Sequence, residues 1–462
     1  MHSTLTKRRT LGYASGIVSE SVLYNMFYTY FLIFLTDIAG INPAIAGTIS
    51  MISIIVDGIT DPVIGHLADR KGKDKRRLMK SAVIPMSILF VFAFAKFNLS
   101  HNALVIYFIA IAVLFWVAYT VYTIPYYALC AELTSDYDER TKIRGTSSFI
   151  NAFAIFIGSA APVILVGVFE GVNFTTSTSW SLSAAVVAAI AIMFGYIAYI
   201  STRHIKLHRP QSEENENIFK TYIQLIRIKP FKYLLAFVVL YMIQCSLAQA
   251  DLMYLIQYRM NADPDVYMSI ALGAIVVGMI IFVPITTKLA TIKDRKFAVI
   301  CLLSIATLGM FVFRFIGITS VYSLVAMLLF YAIGLAVFWT TFYSFTYDIA
   351  EIDEMVNSKK RVGAITSLPQ LLQKFGAAIG MQTLGLVLSY SGYNANAAVQ
   401  SESAVMGIES VITTFCPIVM GLAVLFMALY PVTKKKYKKL QSALANKKAK
   451  KEYDIEGLDR LL

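Results

Sequence analysis

The sequence predicts an all-α membrane protein of twelve transmembrane helices in two six-helix halves. Three observations lead there. Hydrophobic residues make up 57% of the 462 positions and charged residues only 15%, far from the balance of a soluble globular chain. Apolar runs of about 20 residues, long enough to cross a bilayer, recur along the whole length. A polar stretch, 202–230, parts these runs into six and six.

Taken in order, the spans are expected near residues 12–37, 42–67, 79–99, 103–130, 145–169, 179–201, 231–257, 266–288, 297–316, 319–348, 365–391 and 406–431. The first apolar run fills a whole span, so it reads as a retained helix and not as a cleavable signal. The halves are 1–201 and 231–432, with 202–230 as a linker and 433–462 as a basic tail. They show weak internal similarity: AELTSDYDERTKIRGTSS follows the fourth span and YDIAEIDEMVNSKKRVGAITS follows the tenth. Each has acids at a helix end, a basic cluster, then small residues opening the next helix. Paired halves with a midplane site between them are a secondary-transporter arrangement.

Charge sets the expected orientation. With the N-terminus inside, all of the 41 Lys and Arg except Lys96, Arg259, Arg314 and Lys374 fall on the inner side, which puts both termini in the cytoplasm of a cell (inner) membrane. A formal net charge of +13 would suit nucleic acid, but the basic residues sit in short loops between spans, so no nucleic-acid partner is expected. The tail reads as a cytoplasmic helix whose basic face contacts anionic lipid. The four cysteines, Cys130, Cys245, Cys301 and Cys416, lie in or at the ends of apolar runs and fit no zinc spacing. His66, His101, His204 and His208 have no nucleophile or metal spacing around them, so no enzyme is expected and no cofactor.

Chemistry concentrates in polar residues inside the spans. Asp57, Thr60 and Asp61 share one face of the second span. A carboxylate at bilayer depth is disfavoured by roughly 2.5–3.5 kcal/mol, and two of them one turn apart repel. One must hold a proton, or the pair must hold a cation. Pro62 has no N–H to give the Gly58 carbonyl, so two acids, a hydroxyl and a loose carbonyl form an oxygen cage suited to Na+ at Asp57 and Asp61, or to H+. Glu20, Asp57 and Lys374 each lie nine or ten residues into their spans, roughly 14 Å deep and near the middle of a ~30 Å core. Charged groups at one depth should converge on an internal polar cavity; the competing reading is a buried ion pair with no ligand. Asp251 lies nearer the outer end, lining a vestibule or lying at the headgroups. The fourth span carries Tyr119, Thr120, Tyr122, Thr123, Tyr126 and Tyr127 around Pro125, hydroxylated rings suited to a polar, ring-shaped solute, although such stripes are more often packing. Asp69, Arg70, Glu132, Arg140, Asp348, Glu351 and Arg361 lie at the wrong depth for a solute and are nominated as a cytoplasmic gate; a solvated charged loop is the alternative.

GHLADRKGKDKRR resembles the loop between the second and third helices of the major facilitator superfamily. DGITDPVIGHLADR, IPYYALCAELTSDYDERTKIRG and YDIAEIDE with KKRVGAITSLPQLLQKFGAAIG together resemble the glycoside–pentoside–hexuronide:cation symporter family, typified by melibiose permease. The resemblance implies a major facilitator fold, alternating access and cation-coupled sugar uptake. It puts the cation site on Asp57, Thr60 and Asp61 with a hydroxyl at Thr120, and the eleventh-helix lysine on Lys374. The sugar-site positions fall on Ser21, with Glu20 adjacent, and on Thr123, Tyr127 and Ser148, so the family's galactoside-holding acids are largely replaced.

The expectation is therefore a symporter coupled to Na+ or H+ that carries a glycoside- or pentoside-like sugar, binding it with Glu20, Ser21, Thr123, Tyr127 and Lys374. It is expected to work as a monomer among membrane lipids. The runner-up is a carrier of a lysolipid or other amphipathic solute on the same fold.

Overall fold

The computed structural model describes residues 6–69, 74–133, 137–205, 218–358, 361–397, 399–449, 451–452, 454 and 456. Every regular element among them is helical. In chain order these are α1 (Lys7–Ala14), α2 (Gly16–Ile33), α3 (Pro43–Asp69), α4 (Lys75–Ala93), α5 (His101–Leu133), α6 (Tyr137–Gly171), α7 (Thr176–Thr202), α8 (Ile218–Ile226), α9 (Lys229–Tyr254), α10 (Pro264–Ile292), α11 (Arg295–Ile316), α12 (Val321–Asn357), α13 (Val362–Tyr390), α14 (Glu402–Ser410), α15 (Cys416–Leu429) and α16 (Lys434–Lys448). Eleven helices among the described residues are long and apolar enough to cross a membrane. The twelfth expected span is α4, whose first turns, KRRLMK, are too basic to count by hydropathy.

The chain divides into two compact units. The first comprises Met1–Glu213 with Leu252–Ser269 and Met381–Val405. Within it α4 packs on α5 and α7, α3 on α5, and α2 on α6 and α7. Small residues allow these approaches: a Cβ on Gly158 would lie 2.8 Å from the Val22 backbone, and one on Gly385 only 2.4 Å from the Pro43 carbonyl. Glycine here lets backbones meet where apolar side chains alone give no preference over lipid.

Two corners of the first unit repeat one design. α2 runs into the π-turn Phe34–Ile38 and α9 into the π-turn Leu255–Arg259. In one, Ala39 N–H bonds the Phe34 carbonyl and Ile41 N–H that of Leu35; in the other, Met260 bonds Leu255 and Ala262 bonds Ile256. A left-handed residue, Gly40 or Asn261, turns the chain, and proline at 43 or 264 opens the next helix, where no N–H is needed.

The second unit comprises Glu214–Asp251, Ile270–Gly380 and Met406–Leu462. There α11 packs on α12 and α15. Gly376 and Gly380 of α13 face backbone of α9, since a Cβ on either would lie 2.7 Å from the Val239 carbonyl or 2.6 Å from that of Ile243. The basic tail opens with a helix, α16, and this helix is docked. Leu440, Ala443 and Leu444, at helical spacing on one face of α16, are buried, and Lys447 Nζ reaches the Met355 carbonyl at the end of α12 at 2.7 Å.

Candidate functional site

Asp57, Thr60, Asp61 and Thr120 come together where α3 packs on α5. The Thr120 hydroxyl donates to Asp57 Oδ1 at 2.7 Å, and Asp61 Oδ1 stands 3.2 Å from Thr120 Oγ1. Thr60 Oγ1 bonds the Asp57 carbonyl at 3.0 Å and lies 3.4 Å from Thr120 Oγ1. Asp57 is 1% exposed and Thr120 fully buried, whereas Asp61 and Thr60 are half-buried. A threonine hydroxyl has one proton. It cannot donate to two carboxylates at once. Thr60 and Asp61 follow Asp57 by three and four residues, which is why a single helix brings them to one face. Pro62 lies one residue beyond, inside α3.

A second polar group lies on the facing sides of α2 and α5. Glu20 is buried and accepts two short hydrogen bonds, from Tyr119 Oη to Oε2 and from Tyr127 Oη to Oε1, both at 2.5 Å. Tyr119 and Tyr127 are eight residues apart, about two turns, so both hydroxyls can reach one carboxylate. Tyr127 was nominated from sequence as a solute contact; its role as a partner of Glu20, and that of Tyr119 beside it, was not. Thr123 is buried, with its hydroxyl on the Tyr119 carbonyl at 3.1 Å. Ser21 is buried and bonded by Asn25 Nδ2, at 2.8 Å to its carbonyl and 3.2 Å to its hydroxyl. Ser148 is exposed. Lys374 is half-buried in α13 of the second unit.

Four of the nominated gate residues, Glu132, Asp348, Glu351 and Arg361, have described partners. Glu132 takes Lys75 Nζ at 2.5 Å, both side chains buried. Asp348 takes Arg295 Nη2 at 2.8 Å. Arg361 binds Asp353 through two nitrogens, Nη2 to Oδ1 at 2.6 Å and Nε to Oδ2 at 2.9 Å, and reaches Gln224 at 2.6 Å. Glu351 accepts from Gln441 of α16 at 3.5 Å. Arg70, and the side chains of Asp69 and Arg140, lie outside the described residues. The lysine and arginine partners come from the starts of α4 and α11, which sequence spacing did not connect to these acids.

Two further features were not legible. Asp37 collects hydroxyls from Thr36, Tyr258 and Tyr393. Beside it a cavity of about 320 Å³ is lined by Glu170, Trp180, Gln257 and Asp263 among others; none of the sequence-nominated residues lines it. Asp251 neither lines a vestibule nor meets headgroups: it is 0% exposed.

Regular elements that are all helical among the described residues, spans throughout, and a buried and a half-buried carboxylate one turn apart on one helix are the make-up of a polytopic membrane transporter. Residues 12–434 match the family described as MFS/sugar transport protein. The chain is 25% identical over 462 residues to the "Glucuronide carrier protein homolog" of Escherichia coli K12, covering 97% of each. It is 25% identical over 431 residues to the "Isoprimeverose transporter" of Lactiplantibacillus pentosus, covering 89% of this chain and 86% of that one. A "Putative glycoside/cation symporter" of E. coli is 22% identical over 445 residues, covering 93% of each. Among solved structures, the nucleoside transporter NupG matches with a TM-score of 0.66 over 92% of this chain and 100% of its own, at 13% identity, a likeness of fold alone. The chain belongs to the MFS/sugar transport family, among its glycoside–pentoside–hexuronide:cation symporters.

Proposed function

We propose that the protein carries a glycoside, pentoside or related polar solute into the cell together with Na+ or H+. The observation that supports the coupling is the single Thr120 proton set between two carboxylates one turn apart, buried Asp57 and half-buried Asp61. A cation entering there would relieve their repulsion and complete the oxygen cage with Thr60 and Thr120. The relatives named for glucuronide, isoprimeverose and glycoside transport support the solute class. Glu20, steadied by Tyr119 and Tyr127, offers a carboxylate that can accept sugar hydroxyls, with Ser21, Thr123 and Lys374 as further contacts. The carrier performs no chemical step.

The driving force is adequate. One charge moving through 100 mV supplies roughly 2.3 kcal/mol, and a tenfold cation gradient adds about 1.4 kcal/mol. Together they sustain accumulation of a neutral solute by several hundredfold. The distribution of Lys and Arg supports a cell-membrane protein with both termini inside. On that orientation the ion-paired ends of α4, α5, α11 and α12 lie at the cytoplasmic side, where Asp69, Arg70, Glu132, Arg140, Asp348, Glu351 and Arg361 would form the gate. The working unit is a monomer in contact with lipid.

The test is a thermal-shift screen of purified protein against sugars and lysolipids, with and without Na+, paired with Asp61→Asn. Sodium-dependent stabilisation by one sugar is expected. Asp61→Asn should abolish uphill uptake and leave solute exchange partly intact; full concentrative uptake by that variant would remove the cation assignment.

A further inference from the structure

We propose that Asp251 is a proton-binding site of the second unit, separate from Asp57 and Asp61 and occupied by a proton in the conformation described here. This holds whichever solute is carried. Asp251 lies in α9, three residues before its end, and both its carboxyl oxygens are buried without a hydrogen-bond partner among the described residues. Tyr241, Gln244, Ala248 and Asp251 follow at helical spacing, so they share one face of α9. Along that face the Tyr241 hydroxyl and both polar atoms of the Gln244 side chain, which lie beside each other, also make no hydrogen bond of ordinary geometry. A buried stripe of polar atoms therefore runs about 15 Å along the helix.

An ionised carboxylate with no partner in such a place is disfavoured by several kcal/mol at the least, and the group meets this by neutralising. Among the described residues no cationic side chain meets either carboxyl oxygen. The titratable groups around the stripe are Cys245 on α9 itself, Tyr331 on α12, with its hydroxyl 3.4 Å from Cys245 Sγ, and Cys416 at the start of α15. Cys416 donates to the Gln244 carbonyl at 3.5 Å and lies within electrostatic range of Asp251. None of these side chains is cationic. α13 also packs here, its Gly380 against Ile243 and Ser246 and its Gly376 against Val239. Its only charged residue, Lys374, stands two residues before Gly376. It is thus level with a point roughly 21 Å down α9 from Asp251. A metal cation would need several oxygen ligands, and thiols with aliphatic neighbours do not provide them. A proton needs only the carboxyl. It would arrive from water as the acid forms, and leave to water when motion of α9 or α15 wets the group. The π-turn Val411–Phe415 directly before Cys416 supplies a helix irregularity of the kind that often marks moving or functional segments.

Infrared spectroscopy of the purified full-length protein at neutral pH tests this. The wild type is expected to show a protonated-carboxyl stretch sensitive to exchange into heavy water. Its Asp251 component should vanish in Asp251→Asn, remain in Asp61→Asn, and shift without vanishing in Asp251→Glu. Identical carboxyl regions in wild type and Asp251→Asn would overturn the proposal. So would bleaching of that component by Na+ at fixed pH, which would make the ligand a metal cation. If Asp251→Asn does not fold, absence of a shifted band in Asp251→Glu overturns it equally. A second readout is stability against pH. The folded state holds a proton that the unfolded chain releases, so the folded-to-unfolded ratio should fall by up to tenfold per pH unit as pH rises above the ordinary carboxyl range. Asp251→Asn should remove that slope, and an unchanged slope in the variant would count against the site.

Discussion

Tyr393 donates its hydroxyl to Oδ1 of Asp37 at 2.5 Å across 356 positions of sequence, and Tyr258 donates to Oδ2 of the same carboxylate. Thr36 adds a third hydroxyl at 2.6 Å and is itself 2.7 Å from Tyr254 Oη. One carboxylate thus ties the end of α2 to the end of α9 and to the segment after α13, all within the first unit. Hydrogen bonds to a charged group contribute about 1.5–3 kcal/mol each. Tyr258→Phe and Tyr393→Phe should each lower unfolding stability in detergent by about that amount. The double variant should lose less than the sum, because both bonds share one acceptor. Asp37→Ala should lose most, since it strands several hydroxyls. A Tyr393→Phe protein as stable as wild type would show that the bond contributes nothing.

The shared hydroxyl of Thr120 leads to a second expectation. Thr120→Val keeps the shape of the side chain and removes its only polar atom. Loss of a hydrogen bond to a charged group, again about 1.5–3 kcal/mol, corresponds to roughly a 10- to 150-fold change in an equilibrium constant. The cation concentration for half-maximal uptake should rise by that factor. Thr120→Ser, which restores the hydroxyl, should recover most of it. Unaltered cation dependence in Thr120→Val would place the ion elsewhere.

The two tyrosines on Glu20 separate positioning from contact. Tyr119 is buried and Tyr127 half-buried. If a solute hydroxyl takes the place of one tyrosine, the more accessible Tyr127 is the one displaced. Tyr127→Phe removes the competing donor and should then leave solute binding unchanged or tighten it modestly, by about tenfold or less. Glu20→Gln, which halves the acceptor capacity and removes the charge, should weaken it. Tyr119→Phe should act mainly on stability. Equilibrium binding measured beside thermal unfolding checks the split, and a Glu20→Gln variant with wild-type affinity would remove Glu20 from the solute site.

These outcomes follow contacts that differ in how far the sequence revealed them. The helices were legible because long apolar runs and basic loops leave few alternatives. Asp57, Thr60 and Asp61 were legible as a group because residues at i, i+3 and i+4 of one helix share a face. Thr120 entered only through family resemblance, since nothing in local spacing ties α3 to α5. The tyrosine partners of Glu20 and Asp37 lie 99 to 356 positions away, and periodicity carries no information about such pairs. The repeated corners at Phe34–Ile38 and Leu255–Arg259 were hidden for another reason. They share backbone hydrogen bonds and a following proline, while their side chains, FLTDI and LIQYR, have little in common.

A pH-dependent contribution is expected at the start of α4. Asp74 caps that helix, accepting from Arg76 N–H at 3.0 Å and from the Arg76 guanidinium at 2.9 Å. The guanidinium also bonds the Thr202 and Ile205 carbonyls at 2.9 Å, joining α4 to the end of α7. Partial burial disfavours the charged carboxyl, but the bonds from Arg76 and the charges of Arg76 and Arg77 outweigh it and hold Asp74 below its ordinary carboxylate range. A group depressed in the folded state stabilises it above the unfolded value, near 3.9, and that contribution is lost as pH falls through the folded value. Asp74→Ala should therefore cost about 1 kcal/mol at neutral pH, with the charge-dependent part reduced by solvent screening. Wild type and variant should converge in unfolding midpoint as pH drops below about 4. A difference that stays constant with pH would assign the effect to helix propensity alone.

The approach of α13 to α9 gives the sharpest steric expectation. A Cβ on Gly380 would lie 2.6 Å from the Ile243 carbonyl oxygen and 3.0 Å from Ser246 Cβ, and one on Gly376 would lie 2.7 Å from the Val239 carbonyl oxygen. These neighbours are mainly backbone, which cannot rotate away as a flexible side chain can. The same crossing places Ser246 Oγ on the Ala377 carbonyl at 2.9 Å, so moving the helices apart also breaks that bond. Gly380→Ala should destabilise by about 1–3 kcal/mol, the usual penalty of overpacking. Gly380→Val should do worse, and Gly376→Ala should resemble Gly380→Ala. Gly273 is the control, because a Cβ there meets nothing within 4 Å. Gly273→Ala in the interior of α10 should be neutral or stabilising by about 1 kcal/mol. Unfolding of all four variants in one detergent decides the matter: a Gly380→Ala protein as stable as Gly273→Ala would mean that α9 and α13 do not approach through these glycines.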